Sequence, residues 1–375
     1  MISAFLEQNG MNSDKKIDVV KSNCFGNSFV IIDEHEDNVL EDDEYRRFAG
    51  EVLSTEFGLG ADNLLVIQRN TPEVWQRIKG AYRDIEPVAD SEYIFRMFEP
   101  DGSEALCCGN GLMCIANYLH DEYRQASTTI ATEVPVARPN IMNIGSDAAS
   151  GFSWVNLGEP RRAPQGLVKS TSSDSFIGNI LQVDNLKVCF REHDLKPYSA
   201  STELELRGYF IFTGEPHLVL FPAQEGISVP LLAESVFANS ESNRGSGSMF
   251  RQRIRFGTWL VDRIGHYVNS NYRDLFPIGI NINFVTFTET AGCLEYRCFE
   301  RGINRETLAC GTGAMAVAYV ARQVFGVGGD STPVLPHRCR WYKKEAAIEV
   351  LAEEDRWYLR GQPEIALRGS CYVRI

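Results

Sequence analysis

Two short segments of this chain place a cysteine directly before Gly-polar-Gly at the start of an apolar run. Residues 108–119 read CGNGLMCIANYL, and residues 310–321 read CGTGAMAVAYVA. Glycines at such a turn permit a tight backbone entry and the close approach of a ligand to the main chain. A helix beginning there points free N–H groups and a positive partial charge at the turn. A cysteine at that point has its thiolate stabilised, and the same N–H groups can hold a carboxylate. Inverting a stereocentre requires removing a proton from one face and delivering one to the other. A thiolate base and a thiol acid on opposite sides do this. Two helix N-termini converging on an α-carboxylate would offset the charge that develops as the α-proton leaves. No pyridoxal phosphate is then required, and no lysine motif for it is evident.

Other readings of these residues stay open at this point. Both segments could be glycine turns with buried thiols. A phosphate loop is weaker, because neither GxxxxGK followed by Ser or Thr nor GxGxxG is present. A cysteine hydrolase would want one cysteine with a histidine and a carboxylate. His217 is available, but nothing in the sequence pairs it with Cys108 or Cys310. A zinc site is disfavoured: there is no CxxC pair, no HExxH, and the six histidines are scattered. The ten cysteines are too sparse for a disulfide framework, and most are expected to be reduced and partly buried. The duplicated cysteine favours two-base chemistry.

The elements that must position these cysteines follow from a longer internal repeat. Upstream of the first turn, residues 95–99 read FRMFE; upstream of the second, residues 296–300 read YRCFE. The cysteines lie 202 residues apart and the glutamates 201, so the repeat keeps register with one residue of slip. Gly26-Asn-Ser-Phe-Val-Ile-Ile32 resembles Gly214-Glu-Pro-His-Leu-Val-Leu220, and Phe57-Gly-Leu-Gly-Ala-Asp62 faintly echoes Phe276-Pro-Ile-Gly-Ile-Asn281. Two related halves are expected, with a junction near Val155–Pro160. Short β-rich runs predict strands at Ser28–Ile32, Leu64–Ile67, Tyr209–Thr213, His217–Phe221, Asn283–Phe287 and Leu294–Phe299. The helices predicted at roughly 110–122 and 312–325 are apolar on nearly all sides and must be buried. The expected class is α+β, each half a helix surrounded by strands. Residues 68–92 read as polar decoration, residues 165–176 as an exposed linker, and residues 239–248 (NSESNRGSGS) as a flexible loop. The first sixteen residues read as a loose tail.

Bulk composition narrows the partners. The chain has 375 residues, 44% hydrophobic and 23% charged, with a formal net charge of −13. That acidity argues against nucleic acid, which needs a basic surface. No apolar stretch is long enough to cross a bilayer. The N-terminal residues lack the basic start and apolar core of a secretory signal. A cytoplasmic location is the default expectation.

At this point the residues resemble a known family, the diaminopimelate epimerases. Asp101-Gly-Ser-Glu-Ala-Leu-Cys-Cys-Gly-Asn-Gly-Leu-Met-Cys114 is similar to the family's first active-site motif. Glu300-Arg-Gly-Ile-Asn-Arg-Glu-Thr-Leu-Ala-Cys-Gly-Thr-Gly313 is similar to the second and is the most specific stretch of the chain. Phe25–Phe29, Gly58–Asp62, Val155–Pro160 and Gly214–His217 match further landmarks in order. The resemblance runs from about residue 17 to the C-terminus, interrupted by insertions at 68–92 and 225–260.

The resemblance implies two pseudo-symmetric domains, each a β-barrel-like sheet wrapped around a central helix. The expected division is 17–158 with 363–375 as the first domain and 159–362 as the second, after a tail at 1–16. It implies that Cys108 and Cys310 are the acid/base pair of a cofactor-independent racemase or epimerase, with Cys107 given no role. Backbone groups of Gly109, Asn110, Gly311 and Thr312 would hold the α-carboxylate. Asn27, Asn281, Glu300 and Arg301 fall on positions lining the family's substrate pocket. Neither a cofactor nor a metal is implied; the expected partner is a small-molecule amino acid, with room for a homodimer.

This sequence also departs from the family. Glu99 and Glu215 stand where members use asparagines that help hold the distal carboxylate of diaminopimelate, and Met113 replaces an arginine. Two glutamates there would repel that carboxylate. Arg301 remains as a partner for it, unless it pairs with one of the new glutamates. The expectation is therefore an amino acid with a basic or amine-bearing side chain. Diaminopimelate itself and a non-catalytic amino-acid-binding relative are the alternatives.

Overall fold

The computed structural model describes residues 15–36, 39–135, 138–164, 166–169, 175–191, 194, 202–224, 234–240, 243–354 and 356–373. The chain divides into two compact units: Met1–Val155 together with Gln362–Ile375, and Asn156–Gly361. Both have a mixed α/β organisation, with extensive sheet and few helices.

In the first unit, β1 (Lys15–Cys24) and β2 (Asn27–Glu34) form a hairpin turned by Phe25 and Gly26, both at positive φ. Then come helix α1 (Asp42–Val52), β3 (Asn63–Arg69) and helix α2 (Pro72–Ala81). They are followed by β4 (Tyr93–Phe98), β5 (Glu104–Ala105), helix α3 (Gly109–Tyr123), β6 (Ser127–Thr132), β7 (Asn140–Asp147) and β8 (Phe152–Asn156). β2 runs parallel to β3, β3 antiparallel to β4, and β4 pairs antiparallel with β5 and parallel with β6. Helix α3 is thus the crossover that joins two parallel neighbours. It lies against β1, β2 and β7. All of Gly109–Ala116 is buried, which answers the absence of a polar face in its sequence.

The second unit contains β9 (Ser175–Ile177), β10 (Ile180–Cys189), β11 (Glu203–Phe212) and β12 (Pro216–Leu220). Helix α4 (Ser248–Asn271), β13 (Asn281–Phe287), β14 (Leu294–Glu300), β15 (Arg305–Thr307) and helix α5 (Gly311–Phe325) follow. It ends with β16 (Ser331–Pro336), β17 (Ile348–Glu353) and β18 (Arg356–Gly361), after which β19 (Glu364–Val373) pairs with β1 in the first unit. The pairing order recurs: β12 parallel to β13, β13 antiparallel to β14, and β14 antiparallel to β15 and parallel to β16. Helix α5 touches β11, β12, β13, β14, β16, β17 and β18, and Gly311–Ala321 are all buried. Strands surround this helix, as its composition requires.

A buried ion pair underlies each cysteine turn. Arg96 on β4 reaches Glu104 through Nε and Nη2 at 2.8 Å each, and Asp42 through Nη1 at 2.8 Å. Arg297 on β14 makes the matching fork to Glu306 at 2.5 and 2.6 Å, and also donates to the Val236 carbonyl. Both arginines are essentially fully buried. Each glutamate stands four residues before its cysteine. The two-pronged geometry fixes the strand that leads into the turn.

Three expectations need correction. Residues 68–92 are not mere decoration, because Thr71 caps helix α2, Pro72 occupies its first position, and Val74, Trp75 and Ile78 enter a buried cluster. Lys15 and Lys16 are strand rather than tail, since β1 pairs there with Tyr372 and Val373; residues 1–14 lie outside the described residues. Helix α4 takes up residues 248–260 of the expected insertion 225–260 and buries Leu260, Val261, Ile264 and Val268 in the core. Of the expected loop at 239–248, residues 241–242 lie outside the described residues, and Ser248 already belongs to the helix. Residues 165 and 170–174 of the expected linker 165–176 also lie outside them.

Candidate active site

Cys108 and Cys310 occupy the same local position, the residue that caps the N-terminus of a buried helix. Their backbones are extended and nearly identical, with φ/ψ of −141/115 and −131/116 degrees. Each sulfur accepts the backbone N–H of the second glycine of its signature. Gly111 donates to Cys108 Sγ at 3.5 Å, and Gly313 to Cys310 Sγ at 3.4 Å. The turn demands glycine at 313: a Cβ there would stand 2.6 Å from Asn283 Oδ1 and 3.2 Å from the Cys310 Cβ. Cys107, beside the first signature, is buried.

Within the first unit, Asn110 is fully buried and donates from Nδ2 to Asn27 Oδ1 at 2.7 Å, so two expected site residues meet. Its own Oδ1 is buried without a protein partner. Asn27 opens β2 beside the positive-φ pair Phe25-Gly26. Glu99 is half-buried just beyond β4, and its backbone exchanges hydrogen bonds with Ser103 and Gly102 in the turn below Cys108. Gly109 is the first residue of helix α3.

The second unit holds a denser arrangement. Tyr296 on β14 is fully buried, accepting the Cys310 N–H at 2.8 Å and donating to the Cys310 carbonyl at 2.9 Å. This pins the backbone that carries the thiol. Thr312 Oγ1 lies 3.4 Å from Cys310 Sγ and 3.1 Å from His217 Nε2, and Asn283 Nδ2 lies 3.0 Å from His217 Nδ1. Thr213 donates to the Thr312 carbonyl. Burial, followed by the positive charge of Arg301, pushes the His217 imidazole down to about 3, so it is neutral at ordinary pH. A neutral ring that accepts at Nδ1 from Asn283 carries its proton on Nε2 and donates it to Thr312. The threonine hydroxyl is then free to donate to the Cys310 sulfur. Sequence reasoning left His217 unpaired; the parallel register of β12 and β13, which sets His217 opposite Asn281, supplies the connection.

Arg301 joins two other expected residues, Asn281 and Glu215. Its backbone N–H donates to Asn281 Oδ1 at 2.9 Å, Nη1 donates to the Ile278 carbonyl at 2.9 Å, and Nη2 donates to Glu215 at 2.6 Å. Burial raises the Glu215 carboxyl, while Arg301 opposes that shift. Glu300 accepts a short hydrogen bond from the Thr307 hydroxyl. One neighbour was missed altogether. Cys298, fully buried on β14, offers its sulfur, Glu300 a carboxylate oxygen and Cys310 its sulfur, all within 4.8 Å of one another. Burial, then the hydrogen bond with Cys310, pushes the Cys298 thiol well up. Residue spacing gave no sign of this group because CxE on a strand is not a metal-site pattern.

The chain is similar to several known proteins. The family model described as diaminopimelate epimerase matches residues 19–150. A diaminopimelate epimerase of Archaeoglobus fulgidus is 26% identical over 92% of this chain and 93% of its own. One from Methanothrix thermoacetophila is 26% identical over 85% of this chain and 86% of its own. Among solved structures, a hydroxyproline epimerase from Agrobacterium vitis, described with bound trans-4-hydroxy-L-proline, superposes with a TM-score of 0.54. It is 10% identical and covers 96% of this chain and 93% of that one. Among the described residues no helix is long and apolar enough to cross a membrane.

Proposed function

We propose that this chain is a member of the diaminopimelate epimerase family, whose named relatives it matches along nearly its whole length, and that Cys108 and Cys310 exchange the α-proton of an amino acid between them. That the chain is an isomerase of the epimerase and racemase kind follows from its relatives. The two-thiol step is supported by one observation above all. Both cysteines cap buried helices with the same backbone geometry, and each sulfur receives a backbone N–H. In this reading one sulfur, as thiolate, takes the α-proton from one face while the other, as thiol, delivers its proton to the opposite face. The leading N–H groups of helices α3 and α5, at Gly109, Asn110, Gly311 and Thr312, hold the substrate carboxylate as negative charge develops. The unpartnered Asn110 Oδ1 suits an ammonium donor. No cofactor takes part in this scheme.

The preferred substrate is an amino acid with a basic or amine-bearing side chain. Arg301, the residue suited to a distal carboxylate, is already bound at 2.6 Å by Glu215 and also donates to the Ile278 carbonyl. A distal carboxylate would have to displace Glu215, whereas an amine would find carboxylates at Glu215 and Glu300 within the same unit. Diaminopimelate is the second reading, favoured by relatives bearing that name along nearly the whole chain.

Incubation in deuterium oxide with single amino acids tests both. Deuterium should enter the α-carbon of a basic L-amino acid as its D-isomer appears. Cys108→Ala and Cys310→Ala should each lower exchange by at least about 10²–10⁴-fold, while Cys107→Ala keeps it. Absence of exchange with every basic amino acid and with diaminopimelate would remove the proposal. Preference between substrates is read from kcat/KM. Glu215→Asn should free Arg301 and shift that preference toward diaminopimelate by roughly tenfold, about 1.4 kcal/mol. If the unaltered enzyme already prefers diaminopimelate, the basic-substrate reading is wrong.

A further inference from the structure

Cys298, Glu300 and Cys310 form a compact ligand set, and we propose that it is a site for a thiophilic divalent cation, with zinc as the type, that captures the second thiol. Cys298 and Glu300 are two residues apart on β14, so strand geometry places both side chains on one face of the sheet. The hairpin of β14 and β15 then brings the chain back to Cys310, whose backbone Tyr296 holds on both sides. The three ligand atoms lie within 4.8 Å of one another. Zinc with sulfur at about 2.3 Å and oxygen at about 2.0–2.2 Å needs ligands roughly 3.5–3.8 Å apart, so the set closes with movements of about 1 Å or less. Two sulfurs and a carboxylate suit a cation of this softness, and a tetrahedral ion would keep one position open for water or another ligand.

The internal repeat provides a control inside the molecule. The positions matching Cys298, Glu300 and Cys310 are Met97, Glu99 and Cys108. With a thioether in place of the second thiol, that set lacks a charged sulfur ligand, so the ion should choose the second unit. Binding displaces a proton from each coordinating thiol that carries one, and uptake therefore weakens as pH falls. Once coordinated, Cys310 can neither accept nor deliver a proton. That last consequence rests on the two-thiol reading; binding itself does not.

The test titrates the full chain, reduced with a phosphine and free of chelator, with cobalt(II) and zinc. One equivalent of cobalt should produce thiolate-to-cobalt charge-transfer absorption that zinc displaces. Cys298→Val should weaken uptake by about tenfold or more. Zinc should abolish α-exchange, and a chelator should restore it. Measured against its own rate in metal-free buffer, Cys298→Val should need about tenfold more zinc for half-inhibition. Cys298→Ser, close in volume and a weaker ligand, gives the same comparison if the valine variant does not fold. Absence of thiolate-to-cobalt absorption, or uptake unchanged by either substitution, overturns the site. Uptake with the expected Cys298 dependence in a chain that exchanges no amino acid would retain the site and remove the catalytic reading.

Discussion

At the scale of single residues, a thiol alone does not account for the second signature. Asn283, His217 and Thr312 form a buried line of hydrogen bonds ending at the Cys310 sulfur, and the direction of that line depends on a neutral imidazole. The sign of its effect on stability can be worked out. In the unfolded chain His217 takes up a proton near pH 6.5, while in the fold it resists doing so until about 3. Its contribution is therefore fully present above pH 6.5 and is lost as pH falls toward 3. By pH 4 the loss should reach roughly 3 kcal/mol. Urea unfolding of His217→Gln at pH 7 and pH 4 checks this, because the variant should lose less stability on acidification than the unaltered chain. Equal losses would refute it. Glu215 works in the opposite sense: burial raises its carboxyl, so its contribution is present at low pH and declines as pH rises through that group's titration.

At the scale of elements, close approach decides where glycine stands. Helix α4 carries Gly257 and Gly265 in its interior, each costing helix propensity. A Cβ on Gly257 would stand 1.9 Å from the Ser235 carbonyl oxygen, and one on Gly265 would stand 2.3 Å from the Phe299 ring. Backbone cannot yield as a flexible side chain can. Gly257→Ala should therefore destabilise the protein by about 2–3 kcal/mol, despite the better intrinsic propensity of alanine. A thermal melt unchanged or raised by this substitution would contradict the packing. The same glycines lower the helix propensity of this segment, and the neighbouring NSESNRGSGS reads as loop, so the helix was not legible in the sequence. By contrast, helices α3 and α5 start within a residue of where the Cys-Gly-polar-Gly turns predict. A local signal, a turn followed by an apolar run, specified a local structure.

At the scale of the molecule, the chain leaves its first unit at Val155 and returns to it with Gln362–Ile375. β19 pairs with β1 from Lys15↔Val373 to Asn23↔Glu364, with one bulge near Lys21–Ser22. Ending the chain at Gly361 would leave β1 with only β2 as neighbour and uncover unpaired backbone groups along it. Hydrogen exchange of such a truncated protein should show lost protection in β1, including Ile17 and Val19, and in β2. The amides of helix α5 should stay protected. Uniform loss across both units would show that they unfold as one.

The sequence by itself determined the two cysteine turns and the helices behind them, because residue type, turn and apolar periodicity act over a few neighbouring positions. The internal repeat extended this to the order of elements in both halves. Only the tertiary structure decided which groups those cysteines and glutamates meet. His217 reaches Thr312 across 95 residues, Arg301 reaches Glu215 across 86, and the Cys298 sulfur comes to lie beside Cys310. Partners at such separations are set by strand register and direction, parallel for β12 with β13 and antiparallel for β14 with β15, which no local spacing encodes.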